Sequence, residues 1–429
     1  MDSEPISPIL GTPFYPRTSA LNERLNWTAW DQYHVVDTYT DWRGEVSTIR
    51  TAAAALDMSP LAKHSITGPD AERFVDYLIP RDATRLAPGQ AYFTPWCNED
   101  GVQVGDGIVM RLERDRFVFS ADRMMRWFAR HAPGFNVEFE DLTDDFGILA
   151  LQGPLSRDVL ASASGEDHAD LRFSRLRRTT VAGVEVLLSR QGFTGELGFE
   201  LWVPRAAATT VWDAVFEAGA AFGLVAAGLH AADVARIEAG MVIPGYDYTP
   251  AAIDPTGSHL RTSPENCATP LELGMGRFID FDKGAAFLGR AALAEELRSG
   301  PKRKLVGIIV NWPEIVASYT DAALVPEVAP HTVRAPMSIS QDAVTGAVTG
   351  AVIGRTSSVT WSPTLGQLIG FAHVDARCAA AGTPVTVSWD WSAPELESAG
   401  DSGDLGVLTV NAHLCDLPHY RPRRAGNPT

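Results

Sequence analysis

Three short segments of this 429-residue chain place chemically useful side chains at close spacing. The first, Gly101-Val-Gln-Val-Gly-Asp-Gly107, holds one carboxylate, Asp106, between glycines ahead of an apparent strand. Asp beside Gly suits a tight turn, where Gly supplies φ > 0 and Asp accepts backbone N–H bonds. The same carboxylate at the end of a hairpin can serve a polar ligand; the residues favour the turn. The second, Ser189-Arg-Gln-Gly-Phe-Thr-Gly-Glu-Leu-Gly-Phe-Glu200, surrounds Glu196 with three glycines, and glycine lets backbone approach a flat ligand closely. A Glu there can accept two ring N–H donors at once, as from an aminopyrimidine edge, or stand solvated on a loop. The third is Arg236-Ile-Glu-Ala-Gly-Met-Val-Ile-Pro-Gly-Tyr-Asp-Tyr248. Arg236 and Glu238 suit a structural ion pair at a helix end, which Gly240 closes. Tyr246 and Tyr248 are two apart and face opposite sides if extended. A Tyr hydroxyl can donate to a departing oxygen, although its ordinary pKa near 10 makes it a weak acid. A packed Tyr with its hydroxyl satisfied is the commoner case.

The elements that must carry these segments follow from pattern and punctuation. Thr67-Gly-Pro-Asp70 has the form of a capping box with an early Pro, and predicts a helix over Ala71–Leu78 with Phe74, Val75 and Leu78 inward. Leu151-Gln-Gly-Pro-Leu-Ser-Arg-Asp-Val-Leu160 repeats the order strand, Gly-Pro, helix, which predicts two related α+β lobes. Ile108–Leu112 with Arg116–Ser120 reads as a hairpin, as does Val181–Ser189 around its Ala-Gly break. Residues 205–222 are helical up to Gly223, and His230–Gly240 is a short helix. After Gly300-Pro301 the chain is strand-rich at Lys304–Val310, Val344–Ile353, Leu368–Val374 and Val385–Trp389, which predicts a β-barrel or sandwich. Residues 1–25 read as an irregular lead-in, 250–270 as loop, and Glu395–Asp404 as a surface loop. The aromatics Trp27, Trp30, Tyr33, His34, Tyr39 and Trp42 either plug a core or line a pocket, with core plugging the preferred reading.

Composition narrows the function classes. Hydrophobic residues make up 45% and charged residues 21%, an ordinary globular balance for two or three domains. The net charge of −17 repels phosphate backbones, so nucleic acid is not an expected partner, and the basic tail Arg421, Arg423, Arg424 reads as a solvated end. Four scattered cysteines form no CxxC pair, and the ten histidines show no HxxE or HxH set, so no metal is expected. No Gly-x-Ser-x-Gly elbow is present. The acidic start lacks a signal peptide's apolar core, and no stretch reaches the roughly 18 apolar residues of a membrane span. The expected setting is cytoplasmic, with no membrane partner.

Four ordered motifs over roughly residues 45–390 resemble the glycine cleavage T-protein (aminomethyltransferase) superfamily. Gly192-Phe-Thr-Gly-Glu196-Leu-Gly-Phe-Glu200 resembles its Gly-Tyr-Thr-Gly-Glu-x-Gly-x-Glu, and Arg236-Ile-Glu-Ala-Gly240 its Arg-Leu-Glu-Ala-Gly. Thr269-Pro-Leu-Glu-Leu-Gly-Met-Gly276, with Phe281-Asp-Lys283 and Phe287-Leu-Gly-Arg290, resembles the segment leading to its last domain. Ser362-Pro-Thr-Leu-Gly366, with Ile369-Gly-Phe-Ala372, resembles its C-terminal barrel motif. The resemblance implies an α+β, three-domain cloverleaf: two α+β lobes and a C-terminal β-barrel around a central folate channel. The expected divisions are 1–60 plus 145–260 for a discontinuous folate-binding domain and 61–144 for a second. A connecting segment over 261–300 and a barrel over 301–429 follow. It implies tetrahydrofolate as cofactor, Glu196 on the pterin edge, and Tyr92, Phe193 and Arg236 in the folate-binding set.

Departures point within the superfamily. Where glycine-cleaving members carry Asp-Asp this chain has Gly105-Asp106, and the position of their folate-tail Arg is Ala232. The Gly101–Gly107 run looks more like the tetrahydrofolate-dependent demethylase branch, of the aromatic O-demethylase or dimethylsulfoniopropionate type. The leading expectation is therefore methyl transfer from a small O-methyl or S-methyl donor to N5 of tetrahydrofolate. The alternative is an aminomethyltransferase or N-methyl amine demethylase that makes 5,10-methylene-tetrahydrofolate; its glycine-cleavage version requires a lipoyl carrier. A maintenance protein of the same fold is a third reading, and the absence of Cys near Phe281-Asp-Lys-Gly284 counts against it. For methyl transfer, Asp106 orients folate or relays a proton and Tyr246 or Tyr248 donates to a phenolate. Trp30, Tyr33 and Trp42 wall the donor, with Arg43 or Arg50 for its carboxylate.

Overall fold

The computed structural model describes residues 9–251, 266–341, 350–391 and 406–422. Residues Glu395–Asp404, Arg423 and Arg424, and most of the 250–270 loop lie outside that set, as does much of Val344–Ile353.

Two sheets and a barrel organise the chain. The first sheet runs Leu176–Val181, Val184–Ser189, Gly198–Pro204, Phe146–Gln152, Ala54–Asp57, Val225–Ala226, antiparallel except at its last pair. Helices Ser156–Ser164 and Ala208–Gly219 cover one face, where Leu149, Leu151, Leu188 and Leu201 meet Val159, Val211 and Trp212. The second sheet runs Gln90–Cys97, Gln103–Glu113, Arg116–Ala121, Ala62–Thr67, Glu138–Asp141. Helices Ala71–Leu78 and Met125–His131 pack on it through Phe74, Val75, Trp127 and Phe128. The remaining faces of the two sheets meet through Ala91, Met110 and Val118 on one side and Ile148 and Trp202 on the other. Strand alternation produces both arrangements: in Phe146–Gln152, Leu149 and Leu151 face the helices and Ile148 the opposite lobe, while Ala54, Leu56 and Ala150 pack on helices Trp42–Thr51 and Leu229–Glu238.

The C-terminal strands Arg303–Val310, Gln367–Asp375, Ala351–Ser362, Ser338–Gln341, Pro384–Asp390 and Val407–Cys415 close into a barrel around Ile308, Val359, Val374, Val387 and Leu414. Ile315 and Tyr319 of helix Trp312–Asp321 join that core. The connecting segment is pinned to the second lobe by buried Lys283, whose Nζ donates to Asp76 Oδ1 at 2.8 Å and to the carbonyl of Ile79 at 3.0 Å. No helix among the described residues is long and apolar enough to cross a membrane.

Several expectations need correction. The lead-in is not irregular from residue 9 on: Leu10–Gly11 pairs with Tyr33–Val36, helix Tyr15–Leu21 follows, and Phe14 is fully buried against Trp212. Helix Ala71–Leu78 forms without the capping-box bond; Asp70 instead accepts the amide of Asn136 at 2.8 Å. Gly105-Asp106-Gly107 is not a turn but the middle of the long strand Gln103–Glu113. The echoed Gly-Pro steps are real and share one backbone geometry, with φ of +120° at Gly68 and +123° at Gly153. A Cβ on Gly153 would lie 2.5 Å from the carbonyl oxygen of Ala52, whereas Gly165, φ +72°, faces open space. Gly153→Ala should therefore destabilise by on the order of 2–3 kcal/mol and Gly165→Ala by about 1 kcal/mol. Thermal denaturation of the two variants checks the difference, and equal losses would refute the assigned geometry.

Candidate active site

Asp106 lies where the two lobes face each other. The register Tyr92↔Val109, Phe93↔Ile108, Pro95↔Asp106 and Trp96↔Gly105 divides these residues between two faces. Asp106 shares the inter-lobe face with Ile108, Met110 and Phe93. Gly105 lies on the helix-covered face, where a Cβ would come 2.8 Å from Nε1 of Trp96. Glycine at 105 thus makes room for Trp96 and removes no carboxylate from the site. Two donors converge on one oxygen of Asp106: Tyr248 Oη at 2.7 Å and Gln103 Nε2 at 2.9 Å, both to Oδ2. Oδ1 has no hydrogen-bond partner among the described residues. Burial pushes the Asp106 carboxyl up to about 7, against the bonds from Tyr248 and Gln103, and the charge of Asp122 adds to the rise. Asp122 itself reaches water but is crowded by protein, and this desolvation, with Asp31 nearby, pushes it up to about 6. A carboxyl near 7 exchanges protons at neutral pH, which suits acid–base work.

Tyr248 is held in place by its neighbour. Asp247 accepts Arg236 Nη1, the amide of Ile243 at 2.8 Å, and the hydroxyls of Ser357 at 3.0 Å and Ser358 at 2.6 Å. Arg236 is wholly buried. Its Nε donates to Asp233 Oδ1 at 2.9 Å, and its other nitrogens to the carbonyl of Met241 at 3.0 Å and Ser358 Oγ at 3.0 Å. This corrects the folate-binding assignment of Arg236: its donors are used inside the protein, joining helix Leu229–Glu238 to the barrel. It does not pair with Glu238 either, since residues two apart on a helix face different sides.

Glu238 takes Arg50 instead. Arg50 donates to Glu238 Oε2 through Nε at 2.9 Å and Nη2 at 2.7 Å, and to Glu196 Oε1 through Nη1 at 3.3 Å. It also donates to the carbonyls of Thr194 at 2.7 Å and Ala235 at 3.1 Å. Arg50 is therefore not free for a donor carboxylate, as its residue type had allowed. Burial raises the Glu196 carboxyl, and Arg50 and Tyr420 oppose the rise. Two of the glycines around Glu196 serve Gln152: a Cβ at Gly192 or Gly198 would strike its amide, whereas Gly195, φ +82°, lies against Ala239. Gln152 in turn accepts Thr194 Oγ1 at 2.9 Å and so fixes the loop. Phe193 is half-buried on that loop.

The remaining expected residues do not assemble. Tyr92 faces away from Asp106, on the helix-covered side, with Arg81 over its ring at 3.7 Å. Phe93 is the aromatic on the site face, edge-on to Phe278 at 5.2 Å. Tyr246 is half exposed under Arg334, 4.2 Å from its ring, while Tyr248 is buried. Tyr248 gives its proton to Asp106, and burial beside that carboxyl raises its own pKa well above 10, so it is a poor acid for a leaving oxygen. Tyr33 donates to Asp144, Trp42 stacks on His230 at 4.6 Å, and Trp30 is a half-buried hairpin residue, so these three form no common wall. Arg43 lies over Trp42 on the surface. Sequence reasoning missed Gln103, Phe93, Gln152, Asp247 and Ser358. Two-residue alternation through Gln103–Glu113 was the signal available for Phe93; the others depend on contacts between distant segments.

Two α+β lobes and a closed six-stranded barrel, meeting at a clasped carboxyl, define the T-protein class of fold. The GCVT N-terminal domain model matches residues 18–283, and the glycine cleavage T-protein C-terminal barrel domain model matches 328–391. The chain belongs to the glycine cleavage T-protein family. It is 34% identical over 353 residues to an aminomethyltransferase of Streptomyces coelicolor, covering 80% of this chain and 84% of that one. It is 32% identical over 388 residues to one of Saccharopolyspora erythraea, covering 89% and 91%. The crystal structure of glycine cleavage system aminomethyltransferase T from Bartonella henselae shares the fold, with a TM-score of 0.76 at 23% identity over 97% of this chain and 99% of that one.

Removing Arg236 should leave Asp247 uncompensated in the interior. Arg236→Met is expected to destabilise by about 3–5 kcal/mol, read by chemical denaturation. A variant as stable as the wild type would remove the clasp from the account. The Tyr248 bond favours the ionised form of Asp106, so Tyr248→Phe should move the Asp106 titration to higher pH. The pH profile of turnover should shift the same way, and Tyr246→Phe should leave it in place.

Proposed function

We propose that this protein is a tetrahydrofolate-dependent transferase that takes an aminomethyl carbon, already at the oxidation level of formaldehyde, from a small donor, releases its nitrogen as ammonia and yields 5,10-methylene-tetrahydrofolate. The observation that carries this reading is Asp106, with Oδ1 open, Oδ2 clamped, and a carboxyl near 7. An amine donor needs an acceptor for its N–H and a group that exchanges protons at neutral pH. An O-methyl donor instead needs a hydrogen-bond donor for the departing oxyanion. Tyr248 is committed to Asp106 and Tyr246 stands outside, so neither supplies one. A sulfonium donor favours an aromatic cage, and Trp30, Tyr33 and Trp42 do not build it. The demethylase expectation rested on the Gly101–Gly107 run and on Ala232 in place of the folate-tail Arg; within that run, Gly105 faces Trp96 rather than the site. Curated relatives bearing the aminomethyltransferase name support the same choice.

The donor set fits a reduced folate. A pterin edge offers N–H donors, and the complementary acceptor here is the Glu196 carboxylate, with Asp106 left for the donor. A chain of contacts links them through Tyr248, Asp247, Arg236, its helix, Glu238 and Arg50. Tetrahydrofolate, when bound, supplies the ring nitrogens that receive the carbon. In this reading Glu196 orients the pterin, with Phe193 beside it on the same loop. Asp106 holds the donor's ammonium through Oδ1 and takes and returns its proton. Gln103 and Tyr248, on Oδ2, keep the carboxyl aimed. The partner is a small molecule; a lipoyl carrier joins only if the donor is the glycine-cleavage one. A reducing, cytoplasmic setting suits the four free cysteines and an oxidation-prone folate.

The test is to incubate the protein anaerobically with tetrahydrofolate and sarcosine, dimethylglycine, an aminomethyl-lipoyl carrier, methoxybenzoates or dimethylsulfoniopropionate. The folates are then read by mass spectrometry. Methylene-tetrahydrofolate from the aminomethyl donor is expected, and none from sarcosine or dimethylglycine without an added oxidant; 5-methyl-tetrahydrofolate from an ether or sulfonium would overturn the choice of donor. Asp106→Asn should lower turnover by about 10²–10⁴-fold with folate still bound. Glu196→Gln should weaken folate binding by about 1–3 kcal/mol, and unchanged affinity would remove its assigned role.

A further inference from the structure

The expectation of no metal rested on sequence spacing, yet the fold brings Asp37, His230 and His331 together. One ring nitrogen from each histidine and one carboxylate oxygen lie within 4.8 Å of one another. The three come from separate regions of the molecule: Asp37 follows strand Tyr33–Val36, His230 sits in the first turn of helix Leu229–Glu238, and His331 lies between helix Trp312–Asp321 and barrel strand Ser338–Gln341. We propose that Asp37, His230 and His331 form a binding site for a divalent transition cation of the zinc type, which clasps the barrel segment to the first lobe.

Several observations support the site. His230 is 5% exposed, and its Nε2 is buried without a hydrogen-bond partner among the described residues. An orphaned imidazole nitrogen in the interior costs free energy unless something binds it. The His230 ring is oriented by stacking on Trp42 at 4.6 Å. Asp37 is placed just as firmly, since its carbonyl accepts the amide of His230 at 3.0 Å. Buried Glu45 holds the same junction by accepting the amides of Tyr39 at 2.8 Å and Gly228 at 2.8 Å. Asp37 Oδ2 takes only long bonds, from Thr38 at 3.2 Å and Asn26 at 3.4 Å.

His331 is the adjustable ligand. It is exposed, its ring lies 5.4 Å from that of His230, and its Nδ1 is 3.9 Å from Asp37 Oδ2. Zinc–nitrogen and zinc–oxygen bonds of about 2 Å require the donors to close by on the order of 1 Å, a movement an exposed side chain can make. Two imidazoles and one carboxylate suit zinc, with a fourth position left for water. The nearby Arg334 guanidinium is neutralised by Asp233, 2.6 Å away, so it does not bar a cation. Such an ion would be structural: His230 and His331 sit in the first lobe and the barrel segment, and Asp106 is held by other residues.

The full-length chain, stripped with a chelator, is titrated with Zn²⁺ by equilibrium dialysis and with Co²⁺ by visible absorption. One ion per chain is expected, with the intense ligand-field bands of a low-symmetry Co²⁺ site and a rise in melting temperature on adding zinc. His331→Ala and Asp37→Asn should each weaken Zn²⁺ binding by about 100-fold or more and abolish the thermal shift. His331 is on the surface, so its variant should fold even if a His230 variant does not. No saturable binding at micromolar zinc would overturn the proposal. Binding that survives in both variants would also overturn it, because the ion would then lie elsewhere.

Discussion

The Arg236 guanidinium, buried without access to water, is the interaction on which the rest of the site depends. A charge in that position survives only if its partners are charged and its remaining N–H groups are used. Asp233, Asp247, Ser358 and the Met241 carbonyl meet that demand. They come from the same helix, the turn beyond it, and the barrel. One electrostatic requirement thus draws the first lobe and the barrel together. It also fixes Asp247, and therefore where Tyr248 points. Tyr248 then reaches across to the second lobe and holds Asp106. The candidate site thus draws on all three units, and the Asp106 carboxyl is positioned through Tyr248 and Asp247 by a buried cation.

Arg50 does for Glu238 what Asp233 and Asp247 do for Arg236. It neutralises that carboxylate and leans on Glu196, with the C-terminal Tyr420 stacked over it at 4.6 Å. Ser362 of the barrel donates to the same Glu238. The family's Arg-Leu-Glu-Ala-Gly pattern, present here as Arg236–Gly240, therefore reads as architecture: one residue sends its charge to the barrel and the other receives it from the first lobe. The glycines follow the same logic. Gly192 and Gly198 make space for the Gln152 amide, and Gly105 makes space for Trp96. Their smallness serves packing, which holds the functional carboxylates in place.

Much of the fold was legible because it is local. Helix Ala71–Leu78, the hairpin turn at Ala182-Gly183 and the repeated Gly-Pro step are each set by residues adjacent in the chain. The candidate acceptors Asp106 and Glu196 stood out in the sequence because each carboxylate lies among glycines. The site was misread where the answer depends on which face of a strand a residue occupies. Tyr92 and Phe93 are neighbours with opposite directions, and a shift of one position exchanges them. Gly105 was weighed as a lost catalytic group because its face was unknown. Trp42 and Tyr33 were offered to a ligand, yet His230 and Asp144, far away in sequence, had already taken them. The Asp37, His230 and His331 cluster could not be seen at all, since no spacing connects those positions.

Closure of the lobes leaves the partly exposed Asp106 carboxyl poorly hydrated and ready to trade protons at neutral pH. The direct measurement is the titration of Asp106 by ¹³C NMR on protein carrying labelled aspartate, with its resonance assigned by loss in Asp106→Asn. The account predicts a midpoint near 7. A midpoint in the ordinary aspartate range, about 4, would contradict it, because the carboxyl would then be solvated and the site would lack its proton-exchanging group.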